Sequence, residues 1–99
     1  MISAAAFDVN AAFPADPKCR PMVEAMVSQA AECAGCDAEM AKAFAEEVGT
    51  VFAERATKKA GSGEVAVRVA RSADTIEVAV TAGDTVRVTR AAPHVAPAS

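Results

Sequence analysis

The stretch that decides the fold is Glu64–Arg90, EVAVRVARSADTIEVAVTAGDTVRVTR. Branched apolar residues recur at every second position: Val65, Val67 and Val69, then Ile76, Val78 and Val80, then Val86 and Val88. Successive side chains of a strand point to opposite faces, so a period of two predicts three strands, each with one buried face. The breaks at Ser72-Ala73-Asp74 and Ala82-Gly83-Asp84 have the composition of tight turns, which makes the three a meander. The alternate positions carry Glu64, Arg68, Glu77 and Arg87. These define a wet face on which opposite charges can pair across strands.

Upstream, Phe7, Val9, Ala11 and Phe13 alternate with Asp8, Asn10 and Ala12. This predicts a further strand that stops at Pro14. Asp16-Pro17 reads as a helix N-cap followed by proline at the first helical position, with Pro21 making the first turn irregular. Val23, Met26, Val27, Ala30, Ala31 and Ala34 then recur at helical spacing, and Gly35 is a natural stop. Asp37 can cap a second helix. Its apolar stripe is Ala41, Phe44, Ala45, Val48, Val51 and Phe52, with Glu46, Glu54, Arg55, Lys58 and Lys59 mostly elsewhere. Gly61-Ser62-Gly63 closes it as a turn. The expected fold is α+β, a two-layer sandwich of order β-α-α-β-β-β, with two helices on one face of a mainly antiparallel sheet. Residues 1–90 form one domain in this reading, and 91–99, Ala/Pro-rich, a disordered tail.

The composition suits a small globular core: 53% of the 99 residues are hydrophobic and 23% charged. Trp and Tyr are absent and Phe occurs four times, so Val, Ala, Met and Phe must make the interior. Small side chains let elements approach closely but bury little area each, at roughly 25 cal/mol per Å². A net charge of −3 argues against general nucleic-acid binding. The charge is uneven: residues 1–54 hold three basic and nine acidic side chains, residues 55–99 seven basic and four acidic. No apolar run approaches the ~20 residues of a membrane span, and the first ten residues lack a basic signal-peptide region. The expected compartment is the cytoplasm.

Three motifs invite chemistry. Cys33-Ala34-Gly35-Cys36 has C-x-x-C spacing, which suits a redox pair or half of a zinc site. A zinc ion would need two further ligands, and only Cys19 and His94 remain. The motif also straddles a helix end, and two small apolar residues flanking a helix cap explain it better than either chemistry. Gly61-Ser62-Gly63 leaves a helix and enters a strand, the wrong polarity for a phosphate loop. The third is AEEVGTVFAERA, Ala45–Ala56, where adjacent acids Glu46 and Glu47 precede Val48-Gly49-Thr50. This is a weak helical turn, in which Gly alone costs about 1 kcal/mol relative to Ala. Gly49 is expected to pack closely against the sheet.

The segment FPADPKCRPMVEAMVSQAAECAGCDAEMAKAFAEEVGTVFAERA, Phe13–Ala56, with the two alternating strands after it, resembles the anti-sigma-factor serine kinases of the histidine-kinase-like (GHKL, Bergerat-fold) ATPases. The likeness lies in PADP leading from an edge strand into a helix, in the AGCD break before a helix with adjacent acids, and in VAVTAGD. It spans roughly Phe7–Asp84. In that family the second helix carries a glutamate that acts as base or positions water, and one turn later an asparagine that holds magnesium. Glu47 aligned with that acid places Val51 at the asparagine position, and Glu46 aligned there places Thr50. The family's Asp-x-Gly, whose Asp binds adenine, matches Thr81-Ala82-Gly83. Thr85-Val86-Arg87-Val88 then follows where the family inserts its ATP lid. Phosphoryl transfer rests on positioning and charge neutralisation. The resemblance therefore implies a vestigial pocket at Glu47, Thr50, Val51, Thr81 and Gly83, with no catalytic residue, cofactor or metal. It implies a regulatory, protein-binding module whose partner is a sigma factor or an anti-sigma antagonist, and it allows a homodimer. No nucleic acid or membrane is expected as a partner. The alternatives are residual nucleotide binding through Glu47, Thr50 and Thr81, and a thiol or metal module built on Cys33 and Cys36.

Overall fold

A computed structural model describes residues 7–59, 63–72 and 75–91. The four strands are β1 (Phe7–Pro14), β2 (Glu64–Arg71), β3 (Thr75–Ala82) and β4 (Asp84–Ala91). They form one antiparallel sheet in the order β1-β2-β3-β4. Between β1 and β2 the chain makes a short 3-10 helix (Pro17–Cys19) and the helices α1 (Arg20–Cys33) and α2 (Ala38–Lys59). The architecture is the α+β sandwich expected from the periodicity, with every sheet pairing antiparallel. β4 runs to Ala91, opposite Thr75. The tail beyond it, including His94, lies outside the described residues, as do Gly61-Ser62 and Ala73-Asp74 of the predicted turns.

The register sets the two faces. Val9, Val69, Val78 and Val88 share one cross-strand row, and Ala11, Val67, Val80 and Val86 the next. Because the side-chain period is two, these rows all face the helices. Val65, Val67, Val69, Ile76, Val78 and Val80 are fully buried. The other face carries Asp8, Arg68, Glu77 and Arg87 between alanines and threonines. Arg68 donates from Nε to Asp8 Oδ1 at 2.8 Å, and Arg87 approaches Glu77 to 3.7 Å. Hydrogen bonding from Arg68 holds the Asp8 carboxyl below the usual carboxylate range. Arg68 thus pairs across strands, with Asp8 of β1 as its partner.

Helix boundaries follow from capping. Asp16 accepts from the Lys18 backbone N–H at 2.9 Å and starts the 3-10 turn, and α1 begins at Arg20, beside Pro21. This is the irregular entry that two prolines dictate. α1 stops in a Schellman motif: the Cys36 N–H bonds to the Ala31 carbonyl and the Gly35 N–H to that of Glu32, each at 3.0 Å. Gly35 supplies the left-handed residue this turn requires, with φ +96°. Asp37 Oδ1 then accepts from the Met40 N–H at 2.8 Å and caps α2.

The helices pack closely on each other through buried Val23, Val27, Ala31, Ala34, Ala41, Ala45 and Val48. α2 lies mainly over β3 and reaches β2 and β4. Phe52 sits at the centre of the core, fully buried, its ring edge-on to Phe13 with centroids 5.9 Å apart. β1 is the least covered strand: Val9 points to the helix side yet is 46% exposed. Gly49 is buried, but against α1 rather than the sheet. A Cβ there would lie 2.3 Å from Glu24 Oε2 and 2.9 Å from Arg20 Nε.

Candidate functional site

The acid pair on α2 divides its work. Glu47 faces β4 and forms an ion pair with Arg90, whose guanidinium also lies over the Phe44 ring, 5.7 Å from its centroid. Glu46 is exposed. Two turns after Glu47, Arg55 makes a twin contact from Nη1 to Asp84, 2.7 Å to Oδ1 and 2.9 Å to Oδ2. Glu47, Val51 and Arg55 are spaced by four, so they form one stripe along the helix. Asp84, Val86, Val88 and Arg90 share the helix-facing side of β4. The stripe and the strand run antiparallel, with charge matched at both ends and valine between. Thus α2 clasps the edge strand at Asp84 and at Arg90. Val51, at the position where the resemblance would put the magnesium ligand, is half-buried against the core.

Thr50 belongs to a different surface. Its hydroxyl donates to the Glu46 carbonyl at 3.0 Å and accepts from Arg20 Nη2 at 3.3 Å. Arg20 Nε in turn donates to Glu24 Oε2 at 2.7 Å. This cluster crosses from α1 to α2 directly over Gly49, and it explains the weak turn. Glycine leaves room for the Arg20–Glu24 pair, and Thr50 offers that pair a hydroxyl. The sequence carries the signal as Arg20 and Glu24 four apart on the first helix, but nothing local joins them to residue 49.

Thr81 and Gly83 lie elsewhere again. Thr81 sits in the row Ala66, Thr81, Thr85, on the sheet face away from the helices. Its hydroxyl is 3.0 Å from that of Thr85. Gly83 is exposed in the β3–β4 turn with φ +92°, and a Cβ there would meet nothing within 4 Å. Its role is conformational. The five pocket positions are therefore not brought together: Glu47 and Val51 face β4, Thr50 joins the two helices, Thr81 is across the sheet and Gly83 is at its end.

The three cysteines are free. Cys33 is exposed on the last turn of α1, whereas Cys36 is buried at the second residue past the cap, where the Schellman motif tucks an apolar side chain under the helix end. Burial pushes the Cys36 thiol upward, and the neighbouring Asp37 carboxylate adds to this. A raised thiol is a poor nucleophile, the opposite of what a redox pair needs. At a pH of about 7.5 in native buffer, iodoacetamide should modify Cys33 at least about tenfold faster than Cys36, with Cys36 reacting only on unfolding. Peptide mapping of the alkylated chain over time reads this, and equal rates would show that the helix end is open. Among the described residues no three His, Cys, Asp or Glu side chains cluster as a metal site would require. No described helix is long and apolar enough to cross a membrane.

No protein-family model matches the chain, and a search of curated proteins finds no match.

Proposed function

We propose that the chain is a non-catalytic protein-interaction module of regulatory type, working in the cytoplasm. The observation that carries this reading is the dispersal of the pocket positions: Glu47 is engaged by Arg90, and Thr81 lies on the opposite face of the sheet. A nucleotide site would need these groups to converge on one phosphate and one base. What the fold offers instead is surface for a protein. One sheet face is uncovered by the helices and carries the pairs Asp8–Arg68 and Glu77–Arg87 with no large apolar side chains, and β1 is an edge whose Val9 is half exposed. The resemblance to anti-sigma kinases supplies the kind of partner, a sigma factor or an anti-sigma antagonist.

Thermal unfolding in the presence of ATP and magnesium tests the first half. A ligand at about one hundred times its Kd stabilises the native state by about 2.7 kcal/mol, which raises the Tm of a domain this size by ~10 °C or more. The expected shift at millimolar Mg-ATP is below about 1 °C; a saturable rise overturns the reading in favour of nucleotide binding. Pull-down from cytoplasmic extract tests the second half: recovery of a sigma factor or its antagonist supports the proposal, and recovery of neither removes the assigned partner.

A further inference from the structure

The outer edge of β4 reads the same in both directions. Thr85-Val86-Arg87-Val88-Thr89 is a palindrome, flanked by an acid, Asp84, and a base, Arg90. We infer that β4 pairs antiparallel with β4 of a second copy about a two-fold axis at Arg87, joining two sheets into one. This does not depend on the function proposed above, since it follows from the edge alone.

In that register Val86 lies opposite Val88 of the second copy, Thr85 opposite Thr89, and Asp84 opposite Arg90. Each pair occurs twice by symmetry, and like β-branched pairs and opposite charges are the favourable cross-strand combinations. Paired positions have the same parity, so the helix-facing valines of both copies stay on one side. Val86, only half-buried in the single chain, gains an apolar neighbour there. Inward charges on an edge strand usually oppose strand addition. Here they are already neutralised within each chain, Asp84 by Arg55 and Arg90 by Glu47, and both remain partly exposed, at 66% and 41%. Across the axis they complete a row of alternating sign: Arg55, Asp84, then Arg90 and Glu47 of the second copy. The one unfavourable juxtaposition, Arg87 against Arg87, is on the wet face, and Glu77 of the same chain stands 3.7 Å from each.

The opposite edge does not offer this. β1 ends in Pro14, which has no N–H to donate, and its charged residue Asp8 is acidic with no base on the same strand to answer it. Pairing of β1 with β4 would be head-to-tail, a heterologous contact that leaves one β4 edge of each two-copy unit unpaired.

Sedimentation equilibrium of the full 99-residue chain between about 5 and 200 μM should give a monomer–dimer system, from 10.1 kDa to twice that mass. Asp84→Arg and Arg90→Glu should each weaken the dimer about tenfold or more, because each converts two attractive pairs into repulsive ones. The double variant Asp84→Arg/Arg90→Glu restores opposite charge across the axis while leaving both intrachain pairs broken, so it should recover affinity to within about threefold of the parent. A role confined to the fold of one chain would make the double worse than either single. Far-UV circular dichroism checks that the variants fold. Independently of them, Arg87→Cys in a Cys33→Ser background should form a disulfide-linked dimer on mild oxidation. A chain that stays monomeric throughout, a dimer indifferent to the single changes, a double no better than the singles, or an Arg87→Cys variant that does not cross-link overturns the assignment.

Discussion

Phe52→Ala is expected to lower the Tm by about 15–30 °C and to leave the chain close to its unfolding threshold at physiological temperature. Phe52 is the largest fully buried side chain, and it stands where α2, β1 and the sheet interior meet. Its removal loses the transfer energy of the ring and leaves a cavity that the surrounding valines cannot fill, together about 3–5 kcal/mol. The edge contact with Phe13 is lost with it, which exposes the apolar side of β1. Domains of this size have only about 5–15 kcal/mol in total, so one such change consumes a large share. The alanine-rich helix interface sharpens the effect, because small residues have no rotamers with which to reach into a void. Differential scanning fluorimetry and urea titration read the result, with an unchanged m-value if the unfolding stays two-state. A loss below about 1 kcal/mol would show that Phe52 is not the centre of the core.

Gly49→Val is the second large effect, expected at about 2–4 kcal/mol of destabilisation. Even a single Cβ at this position would lie 2.3 Å from Glu24 Oε2 and 2.7 Å from Glu24 Cγ. The carboxylate could swing away, but the Cγ methylene is close as well, so the whole Glu24 side chain must change rotamer and leave Arg20. Valine adds two further methyls in the same gap, so the Glu24 and Arg20 side chains must leave it and the Arg20–Glu24–Thr50 cluster must break. The diagnostic experiment is the pair Gly49→Ala and Glu24→Ala. Alone, Gly49→Ala sets a clash against a gain of about 1 kcal/mol in helix propensity. With Glu24→Ala both contacts to Glu24 are gone and only the 2.9 Å approach to Arg20 Nε is left, on a long side chain no longer held by its partner, so the double should be more stable than Glu24→Ala by up to about 1 kcal/mol. Chemical denaturation of the four species closes the cycle. If Gly49→Val is tolerated without loss, the two helices are not held at the separation described.

Much of the fold can be read locally because its signals are local. The alternating valines of β2, β3 and β4 appear in the sequence as they stand in the sheet. Asp16, Pro17, Gly35, Asp37 and Gly83 each act on backbone groups within four residues of themselves. The C-x-x-C belongs to the same class: its spacing is that of a Schellman turn, in which one cysteine is exposed and the other fills the position under the helix end.

The candidate site is less legible, for a different reason. Glu47 looks like the acid of a phosphate site because its partner, Arg90, is 43 positions away and nothing near Glu47 points to it. Asp84 and Arg90 have the parity of the buried valines beside them, a signal that something on the helix must neutralise both. Arg55, eight residues after Glu47, is that other group, although its position in the sequence suggests a solvated face. Gly49 is buried, as expected, but the surface that buries it is α1 rather than the sheet.

What the amino-acid sequence determined by itself was therefore the set of elements, their order, their caps and the face each strand buries. These follow from side-chain period and backbone geometry, which act over a turn or a strand's length. Tertiary structure alone decided which helix lies over which strand, and hence that α2 clasps β4 and that α1 covers Gly49. Those choices depend on how rigid elements stack, and a change of a few ångströms in packing alters every long-range pair at once. An acid beside a weak helical turn has the same local appearance whether it awaits a metal ion or an arginine. Only the packing of β4 beneath the helix distinguishes them.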